Sequence, residues 1–191
     1  LFVNFEGNKD WTDSDLGKIP EGWKVDTLFN CANYVNGSAF KNQDGSLSKT
    51  GLPIIKIKEL KSGINYTTLF TEKKMDLKYH LYNKDILFSW SGSPDTSIDI
   101  FIWAGGNAVL NQHIHKINLN NSEEYGFIYF LLKYFKRKFI EIARNKQTTG
   151  LGHVTLEDLK NVDVVLPDDK SMQKSRIHLN PIFEQIYNNL L

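Results

Sequence analysis

The sequence predicts a mixed α/β domain of the α+β kind, with a twisted, largely antiparallel sheet, one long packed helix and the start of a C-terminal spacer helix. Three observations lead there. Short apolar segments bounded by turn residues occupy much of the chain before residue 124. The apolar spacing then switches from two to three and four. A short capped segment and one more apolar run follow. With 191 residues, 41% hydrophobic and 24% charged, the chain suits one domain with a real core and is too apolar for general disorder.

Residues 7–22 mix acidic and polar side chains with Gly17, Pro20 and Gly22, and read as an extended lead-in outside the core. An apolar patch begins at Trp23, Val25 and Leu28, and Gly37 and Gly45 divide the next stretch into loops. Gly51–Lys58 reads as a strand, with Ile55 and Ile57 on one face and Lys56 and Lys58 on the other. Asp85–Trp90 is a second strand, closed by Ser91-Gly-Ser-Pro94, and Ile98–Trp103 a third, turning at Gly105-Gly106. Ala108–Ile117 contains a fourth, with turn chemistry over Asn118–Ser122.

Phe127, Ile128, Leu131, Phe135, Phe139 and Ile142 then predict an amphipathic helix over 124–145. Gln147–Gly152 is a polar loop, Thr155-Leu-Glu-Asp158 a capping box opening a short helix, and Val162–Leu166 a buried strand ended by Pro167. A final helix starts at Pro181, a residue suited to a first turn. Its Ile182, Ile186 and Leu190 recur at four-residue spacing with Phe183 beside them, an apolar helix that wants a partner surface. These boundaries divide the chain into a lead-in (1–15), a main domain (16–168), and a linker with the start of a terminal helix (169–191).

Formal net charge is only +1, but its distribution is uneven. Residues 1–30 carry six acidic residues against three lysines. Residues 125–146 carry Lys133, Lys136, Arg137, Lys138, Arg144 and Lys146 against Glu141 alone. A basic centre with acidic flanks is what a phosphate-binding face needs, and equally describes solvated helix faces. The single cysteine, Cys31, forbids an internal disulfide and suits a reducing cytoplasm. No apolar run approaches the ~20 residues of a membrane span. The chain begins at Leu1 rather than Met, which reads as a fragment or processed product.

Catalytic chemistry finds little support. His113 and His115 would share a strand face, but no third metal ligand is marked. Asn180-Pro181-Ile182-Phe183 brushes against the Asn-Pro-Pro-aromatic motif of amino-methyltransferases, with Ile in the third position and no glycine-rich cofactor loop. Gly105-Gly106 and Gly150-Leu-Gly152 are not phosphate loops, and Asp95 and Asp99 have no distinctive nuclease spacing. What survives is polar and basic chemistry on loops and strand ends: Lys56, Lys58, Ser91, Ser93, Gln112, Arg144, Lys146, Gln147, Thr148, Thr149 and His153. Lys, Arg and Thr suit phosphate oxygens, and Gln and Ser suit base edges; an ordinary polar loop has the same composition.

Four blocks in order carry a family resemblance. Leu16-Gly-Lys-Ile-Pro-Glu-Gly-Trp23 with Gly51-Leu-Pro-Ile-Ile-Lys-Ile resembles the opening of a recognition domain from a Type I restriction-modification specificity subunit. Lys84-Asp-Ile-Leu-Phe-Ser-Trp-Ser-Gly-Ser-Pro94 resembles that family's Gly-Asp-Ile-Leu strand and Ser-Gly turn, with Lys84 where Gly is usual. Ala108–Ile117 and Gln147–Lys160 followed by Val164-Val-Leu-Pro167 are similar to the next two signatures. Leu1–Glu6 and Asn180–Ile186 resemble the central and distal spacer helices, which would place the chain as the C-terminal recognition domain of a two-domain subunit or as a half-subunit.

The resemblance implies a non-catalytic reader of one half of a bipartite site on double-stranded DNA. It implies methyltransferase subunits, which carry S-adenosylmethionine, and restriction subunits as partners. No cofactor is expected in this chain, and pairing with a second specificity half would run through the spacer helices. The alternative is an assembly module that docks the methyltransferase and meets DNA incidentally.

Overall fold

The computed structural model describes residues 10–41, 48, 50–147 and 149–191. A hairpin opens the described chain: β1 (Trp11–Ser14) and β2 (Gly17–Pro20) pair antiparallel, so residues 11–20 fold back on themselves. Ile19 is buried, although this stretch reads from sequence as lying outside the core, and residues 1–9 lie outside the described residues. Then come β3 (Lys24–Thr27), β4 (Ala32–Asn36), β5 (Leu52–Ile55), α1 (Ile57–Ser62), β6 (Phe70–Thr71), β7 (His80–Leu81) and β8 (Ile86–Ser89). They are followed by β9 (Ser91–Gly92), α2 (Pro94–Ser97), β10 (Asp99–Ile102), β11 (Ala108–Leu110) and β12 (Ile114–Leu119). The C-terminal third is α3 (Tyr125–Tyr134), α4 (Lys136–Asn145), β13 (Gly152–His153), α5 (Leu156–Lys160), β14 (Asp163–Leu166) and α6 (Asp169–Asn188).

Two four-stranded sheets form the body. One, ordered β10-β8-β12-β4, is antiparallel throughout. The other, β6-β5-β11-β7, contains one parallel pair, β5 with β11. The first is covered on both faces, and its alternation shows how. Ile86, Phe88, Ile100 and Ile117 join the core cluster containing Phe127, Leu131 and Phe139 of the helices. Leu87 and Ile114 join the smaller cluster with Ile55, Leu81, Trp103 and Leu110 of the second sheet and its connections. A strand buried on both sides reads as a continuous apolar run, which is what Ile86-Leu-Phe88 is.

Several expected elements take a different form. Only Leu52–Ile55 of the expected 51–58 strand is a strand; Lys56 flanks α1 and Lys58 lies in its first turn. The Glu59 carboxylate accepts from the Lys56 amide at 3.1 Å, which closes a helical turn where the pleat would have continued. Lys56 and Lys58 therefore share no strand face. The single strand expected within Ala108–Ile117 is two, β11 and β12, joined by a turn over Asn111–His113.

The long helix is broken at Phe135 into α3 and α4. Lys133 and Lys136, on either side of the break, both reach the Asp99 carboxylate, at 2.8 and 2.6 Å. The terminal helix begins at Asp169, twelve residues before Pro181. Asp168 caps it by accepting from the Ser171 amide at 2.8 Å, and Pro181 stands inside the helix. The segment expected as a linker is thus helical, and Phe183 and Tyr187 complete the main core. The capping box on α5 forms as the spacing required, Thr155 and Asp158 each accepting from the other's amide.

Lys84 has φ 75°, the one non-glycine residue with positive φ among the described residues. That conformation explains why glycine is the expected residue there. The Lys84 ammonium is anchored by Glu184 of α6 at 2.8 Å.

Candidate functional site

Strand ends from both sheets gather on a polar edge. β8 delivers Trp90 there, β4 delivers Asn36, β5 delivers Lys56, and the β11–β12 turn delivers Asn111, Gln112 and His113. Main-chain bonds hold these ends together: Gly37 donates to Ile114 at 3.1 Å, Ser38 to Leu110 at 2.9 Å, and Asn111 to Ile55 at 3.0 Å. The Trp90 amide reaches the His113 carbonyl at 3.4 Å. A fifth chain segment joins through the β9–β13 ladder, in which His153 lies opposite Ser91, and the Val154 amide donates to Trp90 at 2.9 Å.

This arrangement gathers Lys56, Ser91, Ser93, Gln112 and His153 from segments far apart in the chain. Ser93 stands just before α2, whose Asp95 forms an ion pair with Arg144 of α4, so Arg144 is brought to the neighbouring surface. Gly152 has a specific reason to be glycine: a Cβ there would lie 2.1 Å from the Ala143 carbonyl oxygen, so the loop can return against α4 only without a side chain.

Other expected residues are less free. The Lys58 ammonium donates to the Thr67 carbonyl at 2.9 Å and lies 3.3 Å from Glu59, which commits it to holding α1. Lys146 is held by both oxygens of Asp158, at 2.6 and 2.7 Å. Burial pushes the Asp158 carboxyl up, but the Lys146 and Thr155 hydrogen bonds outweigh it and leave it below the usual range. Gln147 and Thr149 are exposed, and Thr148 lies outside the described residues.

The terminal apolar residues divide in the same way. Phe183 is fully buried in the chain's own core, edge-on to Tyr125 and Tyr129, and Ile186 packs on that core in part. Ile182 and Leu190, 46% and 54% exposed, face outward. The Asn180-Pro-Ile-Phe motif is structural: Asn180 accepts from the Gly126 amide at 3.1 Å and donates to the Glu123 carbonyl at 2.9 Å, clasping α6 to the start of α3.

Aromatic rings line the inner side of the edge. His115 stacks on Trp90 with centroids 5.5 Å apart and planes at 24°, and His113 meets the same indole at 5.9 Å. The histidine pair therefore shares a tryptophan, with His113 in the turn and His115 in β12. Burial pushes His115 down to about 4, and its Nδ1 has no partner, so the ring is neutral at neutral pH. Asp99 is likewise occupied: burial raises its carboxyl, and the Lys133 and Lys136 hydrogen bonds more than reverse that. Among the described residues no group of three His, Cys, Asp or Glu side chains could hold a metal ion, and no helix is long and apolar enough to cross a membrane.

Sequence reasoning missed Asn36 and Trp90 as members of this edge. A signal was present: Ala32, Tyr34 and Asn36 share one face at period two, with the polar residue at the strand's open end.

The comparisons with known proteins agree with this architecture. The family model described as the Type I restriction modification DNA specificity domain matches residues 20–188. The Type I restriction enzyme MjaIX specificity subunit of Methanocaldococcus jannaschii is 27% identical over 197 residues, covering 98% of this chain and 45% of that protein. The putative MjaX specificity subunit of the same organism is 30% identical over 178 residues, covering 87% of this chain and 41% of that protein. The chain spans less than half the length of these relatives. The crystal structure of the HsdS subunit from Thermoanaerobacter tengcongensis superposes with a TM-score of 0.60 at 15% identity, over 93% of this chain and 41% of that one, a likeness of fold.

Proposed function

The chain belongs to the Type I restriction modification DNA specificity domain family, and we propose on that premise that it reads one half of a bipartite sequence on double-stranded DNA. The observation that carries the reading is the convergence of Lys56, Ser91, Gln112 and His153 on one polar edge, from separate chain segments held by main-chain bonds. Lys56 and Arg144 would meet phosphates, and Gln112, Ser91 and Ser93 would meet base edges. His153, Gln147 and Thr149 would approach from the loop between α4 and α5.

On this reading the chain catalyses nothing. Methyltransferase subunits holding S-adenosylmethionine, and the restriction subunit, act where it directs them. The exposed Ile182 of α6, and Leu190 just beyond the helix, would face a second specificity half or a partner subunit.

The test is to place this chain in a complete specificity subunit, assemble it with its methyltransferase, and map modified adenines across a genome. Exchange of this chain for another recognition domain should change one half of the methylated motif. An unchanged motif would leave the assembly-module reading in its place. DNA binding by the assembled enzyme should also fall steeply with salt, with a log–log slope of about 0.9 per phosphate neutralised.

A further inference from the structure

The polar edge contains one amide whose polarity is fixed by its neighbour. The Trp90 indole Nε1–H lies 3.1 Å from Asn36 Oδ1. An indole nitrogen only donates, so the atom facing it must be the amide oxygen. The Asn36 NH₂ group is then the end left for an outside partner, and Asn36 is exposed at the end of β4. The indole is itself held, stacked on the buried His115 ring and bonded through its main chain to His113 and Val154. Turning the amide over would set two donors against each other.

Gln112 shows the contrast. Its amide lies 3.3 Å from His113 Nε2, and an imidazole nitrogen either donates or accepts according to tautomer, so nothing fixes which end of Gln112 faces outward. Of these two amides, Asn36 and Gln112, only Asn36 carries a built-in direction.

We propose that Asn36 is a specificity-determining residue, a hydrogen-bond donor preset by Trp90 to read an acceptor on a base edge, either purine N7 or O6 or thymine O4. The proposal rests on the DNA-reading function above. Preorganisation matters because an amide free to rotate accepts a donor-bearing base as readily as an acceptor-bearing one. A locked amide does not.

The test uses the assembled methyltransferase with the complete specificity subunit, in wild-type, Asn36→Asp and Trp90→Phe forms, with methylation mapped genome-wide. Asn36→Asp still accepts from the indole but presents no donor. It should lower methylation of the wild-type motif by about tenfold or more and shift preference at one base position toward bases that donate. Trp90→Phe keeps a ring on His115 and removes the N–H, and should relax preference at that same position. Asn36 is exposed, so its variant reports without a folding defect; a melting curve accompanies Trp90→Phe.

A uniform loss across all sequences with Asn36→Asp would make the contact a phosphate contact and overturn the proposal. An unchanged motif would overturn it too, as would a shift with Asn36→Asp while a folded Trp90→Phe is silent. If the wild-type motif does not follow this chain in the domain exchange, the DNA-reading function fails first and the proposal falls with it.

Discussion

Strand β8 starts at one kind of surface and ends at another. At its start, Lys84 is tied to Glu184, and the neighbouring helix end is closed by Asn180, by Arg176 on Glu123 and Glu124, and by Phe183 beneath them. At its finish, Trp90 holds Asn36, and Ser91, Gln112 and His153 lie on chain segments set by main-chain bonds, with none of these three side chains in an ion pair among the described residues. The first end uses its polar groups internally to dock a helix. The second keeps them for something else. Polarity alone does not mark a binding surface; polarity left over after the fold is satisfied does.

This contrast can be broken by substitution. Phe183→Ala removes a fully buried ring at the docked end and should cost ~3–5 kcal/mol in urea denaturation. A loss near zero would mean that α6 is not part of the folded core.

Next in size is a pH effect centred between the two ends. His115 is pushed down from 6.5 to about 4 by burial, so between those values the unfolded chain binds a proton that the folded chain refuses. Its effect is absent above about pH 6.5, and stability is lost as pH falls, by about 3 kcal/mol at most once the folded ring titrates. Chemical denaturation at pH 7.5 and pH 4 should show this fall reduced in His115→Gln. An equal fall in both proteins would remove His115 from the account.

Gly126→Ala would place a Cβ 2.7 Å from the Leu179 carbonyl carbon and 2.8 Å from the Asn180 nitrogen. Separation of α3 from α6 should cost about 1–3 kcal/mol, visible as a lower melting temperature. Smallest should be Lys56→Ala at the open end. Stability should stay within ~0.5 kcal/mol, while the salt slope of DNA binding by the assembled enzyme drops by about 1 for all sequences alike. A large loss of stability there would erase the distinction between the two ends.

The core was legible because burial imposes periodicity. Ile86-Leu-Phe88, the helix stripe from Phe127 to Ile142 and the Thr155 box all follow from residue spacing, and the structure places each where its pattern requires. Local capping was harder to see. Glu59 turns the Lys56–Lys58 segment into helix, and Asp168 starts α6 well before the more conspicuous Pro181. In both cases one side-chain bond outweighs an apparent pattern.

The edge was legible in parts only. Ser91, Gln112 and His153 stand out as polar residues at element ends, but their proximity depends on long-range pairing that no local spacing encodes. Lys58 and Lys146 look identical to Lys56 in sequence, and differ because Glu59 and Thr67 hold the first and Asp158 the second. Lys84 stands where the family resemblance leads one to expect glycine, and its positive φ supplies a physical reason for that expectation.

The β9–β13 ladder has an evolutionary consequence. Ser91 and His153 are positioned by backbone pairing, and the same holds for the turn around Gln112. Side chains at such positions can be exchanged without removing the bonds that place them. If this edge reads DNA as proposed, a lineage could change what it reads through successive single mutations, each leaving the scaffold intact, and acquire a new target while never passing through an unfolded ancestor.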